Sequence, residues 1–271
     1  MRCHYCDYQA TAPARCPECQ FDAIRYAGLG TQKLEAEVRR RFPEVSVLRM
    51  DSDSMQRPGS HEQALARFRA GAVQILVGTQ MIAKGLDFPN VTLVGVINAD
   101  TALHFPDFRA AERTFQLVTQ VAGRTGRGDK GGRVLVQTFS PEHPAIQAAT
   151  RHDYRAFADT ELPIRQQFAY PPFGRMIRLV MQGPQEKTTE LFSEQLSDQL
   201  TAAITESAET VRLLGPAPAP ISKLRGRFRF HLLLQAASGK TLRSLVAAIL
   251  QDIKCPGDLQ LMIDVDPLSL L

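Results

Sequence analysis

The spacing of apolar residues between positions 30 and 142 alternates between helical and strand periods. Helices are predicted at 32–42, 61–70 and 110–123, with Thr31 as the N-cap of the first and Gly71 at the end of the second. Strands are predicted at 45–50, 73–77, 91–97 and 134–139. The last three are nearly continuous apolar runs, as in strands buried on both faces. The alternation predicts an α/β fold with a parallel sheet covered by helices on both faces.

The pattern changes after position 142. A bridging helix is predicted at 143–161, and a proline-containing linker follows it up to position 172. Beyond the linker, strand, helix, strand, strand, helix and strand are predicted at 175–182, 186–207, 211–214, 228–235, 240–252 and 259–265. This β-α-β-β-α-β order predicts a ferredoxin-like α+β domain.

Composition restricts the class of protein. A chain of 271 residues has room for roughly two domains, and its 44% hydrophobic and 22% charged residues are ordinary for a globular protein. No apolar stretch reaches the ~18 residues of a membrane span, and the start has no apolar signal region. We therefore expect a cytoplasmic protein without membrane contact. The net charge of +4 permits nucleic-acid binding without requiring it.

Four of the five cysteines form two C-x-x-C pairs near the start of the chain. The pairs are Cys3 with Cys6 and Cys16 with Cys19, separated by nine residues. Two thiolates at this spacing can bind one tetrahedral zinc ion, and segment 1–26 has few apolar residues with which to fold without a metal. A dithiol redox pair is the alternative, but the βα context of thioredoxin-like motifs is missing. The spacing predicts a small zinc-knuckle segment.

Polar residues follow the strand predicted at 73–77. Thr79, Gln80, Lys84 and Asp87 offer hydroxyl, amide, ammonium and carboxylate groups, and the glycines Gly78 and Gly85 allow close backbone approach to a phosphate. The loop leaves the carboxyl end of a central strand, where open α/β sheets place their sites. The simpler alternative is an ordinary polar surface loop.

A second candidate segment follows the helix predicted at 110–123. Arg124 and Arg127 lie three residues apart, and Gln120 lies four residues before the first of them. Guanidinium groups keep their charge and bind phosphate oxygens in a fork, so the pair suits the transferring phosphate of a nucleotide. A solvated basic helix end is the alternative, which the polar loop after 73–77 makes less attractive.

The segments 78–91 and 120–127 resemble motifs V and VI of superfamily 2 helicases. With cysteine knuckles directly upstream, the chain is most similar to the primosomal replication-restart helicases, and the similarity runs along the whole chain, through Tyr170-Pro-Pro-Phe173 to Asp264-Val-Asp266-Pro267. RecG-type helicases share motifs of this kind but lack the adjacent knuckles. The resemblance divides the chain into a partial zinc module, a RecA-like second helicase lobe, a bridging helix with linker, and the ferredoxin-like domain, at 1–26, 27–142, 143–172 and 173–271.

The resemblance also implies roles for the candidate residues. Arg124 and Arg127 would contact the γ-phosphate of ATP, and Gln120 would position them. The residues that would couple the nucleotide to DNA are Thr79, Gln80, Lys84, Gly85, Asp87 and Asp100. The family usually has Asp-x-Asp at 98–100, and this chain has Asn98 at the first position. ATP with Mg²⁺, forked or single-stranded DNA, single-stranded-DNA-binding protein and other primosome proteins are the expected cofactors and partners, with a monomeric chain.

Parts of a complete helicase motor are missing from the sequence. No G-x-x-x-x-G-K-[ST] phosphate loop is present, since Gly239-Lys240-Thr241 has Leu234 in place of the first glycine and no preceding apolar strand ends in a glycine-rich loop. No Asp-Glu-x-His box is present either. Family members carry these parts on a first lobe, and they have four cysteine pairs where this chain has two. We therefore expect a piece of a longer helicase that does not hydrolyse ATP alone. A non-catalytic DNA- or partner-binding module, or an unstable remnant, is the alternative.

A basic row is predicted near the strand at 228–235. At strand period, Arg225, Arg227 and Arg229 fall on one face and Phe228 and Phe230 on the other. With Lys223, the row could follow a DNA backbone from the edge of a sheet. An edge strand protected by charge against aggregation is the alternative.

Overall fold

The computed structural model describes Arg15 and residues 30–51, 54–55, 59–79, 90–123, 131–207 and 210–270. Within these residues, two compact units are formed. One contains His104–Glu112 and the chain from Arg155 onward, and the other contains Arg113–Tyr154 and the described chain up to Leu103. No helix in these residues is both long and apolar enough to cross a membrane.

The elements of the described chain are numbered in chain order. They are α1 (Thr31–Arg41), β1 (Val47–Met50), α2 (Ser60–Arg69), β2 (Ile75–Gly78), β3 (Leu93–Val96), α3 (Asp100–Leu103), α4 (Ala110–Ala122), β4 (Arg133–Val136), α5 (Pro144–Thr150), α6 (Tyr154–Gln167), β5 (Arg175–Gly183), α7 (Glu186–Glu206), β6 (Arg212–Leu224), β7 (Arg227–Ala236), α8 (Gly239–Asp252) and β8 (Gln260–Val265).

Strands β1 and β2 form a parallel pair with helices α1 and α2 beside it. Leu48 and Leu76 lie opposite each other and pack against the buried Leu65 of α2. Because successive side chains of a strand point to opposite faces, Arg49 lies on the other face, where it forms an ion pair with Glu35 of α1 at 3.2 Å. The prediction of parallel strands with a helix on each face is confirmed for this pair.

The ends of these helices test the predicted caps. Gly71 has a positive φ of 75°, and the amides of Gly71 and Ala72 donate to the carbonyls of Phe68 and Arg67. This is a Schellman end for α2, as predicted for Gly71. Thr31 was wrong as an N-cap, because Gly30 occupies that position and makes no side-chain cap hydrogen bond.

The hydroxyl of Thr31 has a different partner. Its Oγ1 donates to Oδ2 of Asp51 at 2.5 Å, at the end of β1. The amide of Ser54 donates to the other carboxylate oxygen at 2.8 Å. These two hydrogen bonds, the Thr31 bond first, lower the pKa of Asp51 from 3.8 to about 2. The stabilisation that they provide is therefore present above the unfolded-state pKa and is lost as the pH falls towards 2.

Replacement of Thr31 by valine is expected to raise the pKa of Asp51 towards 3.8, because it removes the first of these hydrogen bonds. An NMR titration of the Asp51 carboxyl group measures this change. Thr31→Ser keeps a hydroxyl and is expected to retain a pKa near 2. If the Asp51 carboxyl group has the same pKa in Thr31→Val as in the wild-type chain, the Thr31 hydrogen bond is not the cause of the lowered pKa.

Strands β3 and β4 form a second parallel pair, with Val94 opposite Val134. No ladder joins this pair to β1 and β2 within the described residues, so the prediction of one sheet is not met there. Burial on both faces was also wrong for these strands, since Leu93 and Leu135 are 58% and 62% exposed. Alternate residues of each strand are exposed in the described chain, a pattern that a continuous apolar run does not reveal.

The bridging helix predicted at 143–161 is two helices, α5 and α6. The amide of Asp153 donates to the carbonyl of Ala148 and that of His152 to Ala149, which is again a Schellman end, with His152 at a φ of 53°. The predicted linker was also wrong at its start, because α6 continues through Pro163 to Gln167. An internal proline removes one amide donor, and the contacts of Arg165 described below also lie on α6.

The C-terminal unit is built on a four-stranded sheet in the order β6-β7-β5-β8, with all neighbouring strands antiparallel. Helices α7 and α8 pack on one face, where Leu179, Leu196, Leu232 and Leu242 are fully buried in a single core. The predicted element order is confirmed here.

Strand β6 is much longer than the 211–214 that was predicted. It runs from Arg212 to Leu224 through Pro216, Pro218 and Pro220, with register shifts against β7 on both sides of Ala217–Pro218. Proline lacks the amide needed inside a sheet, but an edge strand tolerates it. Because β6 has a hydrogen-bonded neighbour on one side only within the described residues, the prolines do not end it.

Candidate functional site

Three residues of the predicted nucleotide site lie in the described chain: Thr79, Asp100 and Gln120. The remaining candidates lie outside the described residues; they are Gln80, Lys84, Gly85, Asp87, Arg124 and Arg127.

Thr79 directly follows β2 and is exposed. Val77, two residues earlier, is buried. The polar loop therefore starts where predicted, at the carboxyl end of a parallel strand.

Gln120 lies in the last turn of α4 and is half-buried. The helix buries Phe115, Val118 and Val121, at helical spacing. The amide of Gly123 donates to the carbonyl of Thr119 at 3.0 Å, so helical hydrogen bonding continues up to the residue before Arg124. The predicted helix is confirmed up to Ala122, and its role in placing the two arginines stays a prediction.

Asp100 is 9% exposed, and both of its carboxylate oxygens accept hydrogen bonds. The hydroxyl of Thr138 donates to Oδ1 at 2.9 Å, and the amide of Phe139 donates to Oδ2 at 3.0 Å. These bonds join the segment after β3 to the segment after β4. The carboxylate thus has a structural role, and its coupling role stays a proposal.

The hydrogen bonds of Asn98 explain why asparagine can replace the first aspartate of the Asp-x-Asp sequence at this position. Its Oδ1 accepts hydrogen bonds from the amides of Asp100 at 2.9 Å and Thr101 at 3.2 Å, at the start of α3. An amide oxygen caps a helix as well as a carboxylate oxygen does.

Two arginines of the basic row do not lie on a sheet edge. Arg227 and Arg229 belong to β7, which has β6 on one side and β5 on the other. Arg225 is in the two-residue turn between β6 and β7, where Arg225 and Gly226 have φ values of 50° and 81°. Two successive positive values match a type I′ hairpin turn. Strand period alone cannot show which neighbours a strand has, so the predicted edge position was wrong for Arg227 and Arg229, whereas Lys223 lies on β6 at the end of the strand order.

The four basic side chains differ in how far solvent can reach them. Arg229 is 7% exposed, its Nη1 donates to the carbonyl of Ile221 at 3.4 Å, and burial lowers its pKa. Nη2 of Arg227 donates to the carbonyls of Asp258 at 2.6 Å and Gln182 at 3.2 Å. Lys223 and Arg225 are exposed, with the ammonium of Lys223 over the ring of Phe228 at 4.3 Å. Only these last two are presented to a ligand without rearrangement.

The four cysteines predicted to bind zinc, Cys3, Cys6, Cys16 and Cys19, lie outside the described residues. Within the described part of the chain, no cluster of three or more His, Cys, Asp or Glu residues could hold a metal ion.

A buried ion-pair cluster around Arg165 was not predicted. Its Nη2 donates to Glu112 at 2.7 Å and its Nε to Glu161 at 2.9 Å, while its guanidinium lies 5.5 Å from the centre of the Phe108 ring. That ring stacks on Tyr170 at 5.0 Å. Burial lowers the pKa of Arg165, but the two carboxylates outweigh it, so the pKa is raised overall. The i,i+4 spacing of Glu161 and Arg165 was the only local signal.

Two families match the chain. Residues 24–129 match the Helicase conserved C-terminal domain, and residues 166–268 match the Primosomal protein N C-terminal domain. The α/β architecture, with one parallel strand pair within 24–129 and a second pair that ends at Val136, fits a RecA-like helicase lobe.

Several curated relatives are similar to the whole chain. A protein named Replication restart protein PriA from Synechocystis is 43% identical over 274 residues, covering 100% of this chain and 32% of the relative. The Bacillus subtilis protein of the same name is 42% identical over 94% of this chain and 31% of its own length. The Haemophilus influenzae protein is 41% identical over 100% and 37%. The chain spans about a third of the length of these relatives.

Proposed function

Because this chain belongs to the PriA family of replication restart proteins and corresponds to their C-terminal portion, we propose that it is the second motor lobe and C-terminal domain of an ATP-dependent 3′–5′ DNA helicase. The complete enzyme would act at stalled or branched replication forks. The observation that carries this proposal is the order of the two matched families along one chain, a helicase C-terminal domain followed by a primosomal C-terminal domain.

The proposed chemical role of the motor lobe is to supply positive charge to ATP bound by the first lobe. Arg124 and Arg127 would contact the γ-phosphate as arginine fingers, and Gln120 would position them. The helical hydrogen bonding of α4 up to Gly123 supports this role, because it ties the arginine segment to a helix with a buried apolar face. Charge develops on the phosphoryl oxygens in the transition state, and fixed guanidinium groups stabilise it.

The loop that begins at Thr79 would couple the nucleotide to the DNA backbone. The proposed coupling residues of this loop are Thr79, Gln80, Lys84, Gly85 and Asp87. Asp100, which lies outside the loop, is proposed to take part in the same coupling. The exposure of Thr79 at the end of a parallel strand supports this role. Opening and closing of the cleft between the lobes would then move the enzyme along one DNA strand.

Two cofactors belong to the proposal. Cys3, Cys6, Cys16 and Cys19 provide four thiolates, the ligand set that zinc prefers in structural sites. Mg²⁺ would accompany ATP and be held by carboxylates of the first lobe.

The C-terminal domain is proposed to be ferredoxin-like and to bind forked or single-stranded DNA, single-stranded-DNA-binding protein and other primosome proteins. The β6-β7-β5-β8 order with two helices on one face supports this fold. We propose boundaries at 26, 142 and 172 for the four parts of the chain, a monomeric state and a cytoplasmic location.

A two-lobe protein tests the proposed function. In it, the N-terminal part of the Synechocystis relative precedes this chain, replacing the matched region of that relative. We expect DNA-stimulated ATP hydrolysis by the two-lobe protein and none by the 271-residue chain alone. Hydrolysis by the chain alone would show that it is a complete motor, and its absence from the two-lobe protein would contradict the motor-lobe role.

The exposed ends of the basic row provide a separate test of DNA binding. The double variant Lys223→Ala, Arg225→Ala is expected to weaken forked-DNA binding and to reduce the slope of log K against log salt by about two, since each phosphate contact contributes about one. Fluorescence anisotropy at several salt concentrations measures this slope. Lys187→Ala removes an exposed cation from α7 of the same domain and serves as the control. Equal slopes for both variants would exclude the hairpin turn as a contact site.

A further inference from the structure

The hairpin that joins β6 to β7 ends in a continuously exposed segment. Every residue from 221 to 226 is exposed. Strand β6 ends at Leu224, β7 begins at Arg227, and these two residues are paired across the hairpin. We call residues 223–226, the end of β6 with the two-residue turn, the hairpin tip.

Two arginines of β7 fix the hairpin to the rest of the C-terminal sheet. Nη2 of Arg227 donates to the carbonyl of Gln182 in β5 and to that of Asp258, two residues before β8. Nη1 of Arg229 donates to the carbonyl of Ile221, which joins β6 to β7 behind the tip. Because β7 is a central strand, the tip is presented from a fixed support.

The two cations of the hairpin tip are available to a polyanion. Neither Lys223 nor Arg225 has an ion-pair partner within the described residues. The ammonium of Lys223 lies over the ring of Phe228, and a ring contact leaves its charge uncompensated. Two exposed cations on neighbouring sides of one turn suit the phosphates of a DNA backbone.

Arg225 occupies a backbone position that favours other residues. Its φ of 50° is in the left-handed region, where a type I′ turn prefers asparagine or glycine. A long cationic side chain is therefore held where a smaller residue would be more stable. Unfavourable backbone conformations of this kind cluster at positions that contact ligands.

Leu224 lies between the two cations and is 44% exposed. Phosphate oxygens cannot bury an apolar side chain, whereas the face of a base can. Within a continuous duplex every base face is covered by the next pair, so insertion of a leucine costs unstacking energy. The terminal base pair at a junction with single strands already exposes one face, so a leucine packs there without that cost.

We propose that the hairpin tip binds the junction between duplex and single-stranded DNA, with Leu224 on the exposed face of the terminal base pair and Lys223 and Arg225 on the flanking phosphates. This inference rests on the proposed DNA binding of the C-terminal domain. It specifies which part of a fork the domain contacts and separates the residue that contacts a base from those that contact phosphates.

Binding of the 271-residue chain to three DNAs tests the inference. They are a fork whose duplex end is closed by a loop, a duplex closed by loops at both ends, and a single strand with the sequence of one fork arm. Fluorescence anisotropy gives each Kd, and the ratio of the closed-duplex Kd to the fork Kd measures the preference for the junction. The wild-type chain is expected to prefer the fork.

Leu224→Ala is expected to lower this preference about three- to tenfold, which corresponds to the loss of a leucine side chain that DNA partly buries. The slope of log K against log salt should stay unchanged, because no cation is removed. Leu191→Ala makes the same replacement at a 52% exposed leucine of α7 and is the control, with the preference unchanged.

Two further replacements of Leu224 separate an apolar contact from charge. Leu224→Met keeps a flexible apolar side chain of similar volume and is expected to retain the junction preference. Leu224→Lys adds a cation, so it should strengthen binding to the closed duplex and still lose the preference. A tip that acted through charge alone would bind all three DNAs more strongly in Leu224→Lys, with the preference unchanged.

The outcomes distinguish this inference from the proposed function. A wild-type preference in Leu224→Ala, or an equal loss in Leu191→Ala, overturns the junction contact while DNA binding by the domain stands. An equal weakening on the single strand would show that Leu224 contacts unpaired bases, which also overturns it. A wild-type chain that binds none of the three DNAs contradicts the proposed DNA binding as well, and ATP hydrolysis by the two-lobe protein decides the motor role independently.

Discussion

In the two-lobe protein, Arg127→Ala is expected to lower kcat for DNA-stimulated ATP hydrolysis by about 10³-fold or more, and Arg124→Ala by a similar factor. An arginine finger acts on charge that develops only in the transition state, so its loss reduces kcat more than it raises the KM for ATP. Steady-state kinetics with saturating DNA give both constants. In the proposed mechanism, Arg124 and Arg127 would act directly on the reacting phosphate.

Two further variants show whether fixed geometry or charge alone is required. Arg127→Lys keeps the charge but loses the planar fork, and we expect it to recover little of the lost rate. Arg133→Ala removes an exposed arginine at the start of β4 and is expected to leave kcat unchanged. Full recovery of kcat in the Arg127→Lys variant would show that Arg127 acts through its positive charge alone and not through the planar fork. An alanine variant with at least a tenth of the wild-type rate would contradict the finger assignment.

Features that depend on neighbouring residues in the chain were predictable. The helix at 61–70 ends at Gly71 because a left-handed residue closes it, and both the apolar spacing and the glycine are local signals. The β-α-β-β-α-β order of the C-terminal unit was predictable for the same reason. Helix α4 and the loop start at Thr79 were located through local period as well.

Features set by distant contacts were not predictable. The period of the basic row gave the correct faces, with Phe230 in the core, but the burial of Arg229 depends on where β7 lies in the sheet. Most of β6 was not predicted because it contains three prolines. Prolines are tolerated in edge strands, and a sequence does not show which strand lies at an edge. The contact of Asp107 with Leu270 joins residues too far apart for any pattern to connect them.

The cluster around Arg165 shows how much stability such an unpredicted contact can carry. Arg165→Met is expected to lower the free energy of unfolding by about 3 kcal/mol, the lower end of the range for breaking a buried ion pair. The lower end applies because the Glu112 side chain is 30% exposed, although that of Glu161 is only 12% exposed. The loss arises mainly from two carboxylates left without their cation in a site from which water is largely excluded.

Urea unfolding of the chain, followed through the C-terminal unit, measures this change, and second-site variants identify its cause. Adding Glu112→Gln and Glu161→Gln to Arg165→Met is expected to recover more than half of the loss, because the uncompensated charges are then gone. Lys187→Met breaks an exposed pair with Glu190 on α7 and should change the free energy of unfolding by about 0.5 kcal/mol at most. If Arg165→Met behaved like Lys187→Met, the charges around Phe108 would be solvated in the folded protein. If the glutamine replacements recovered nothing, the loss would come from the packing of the guanidinium on the Phe108 ring and not from its charge.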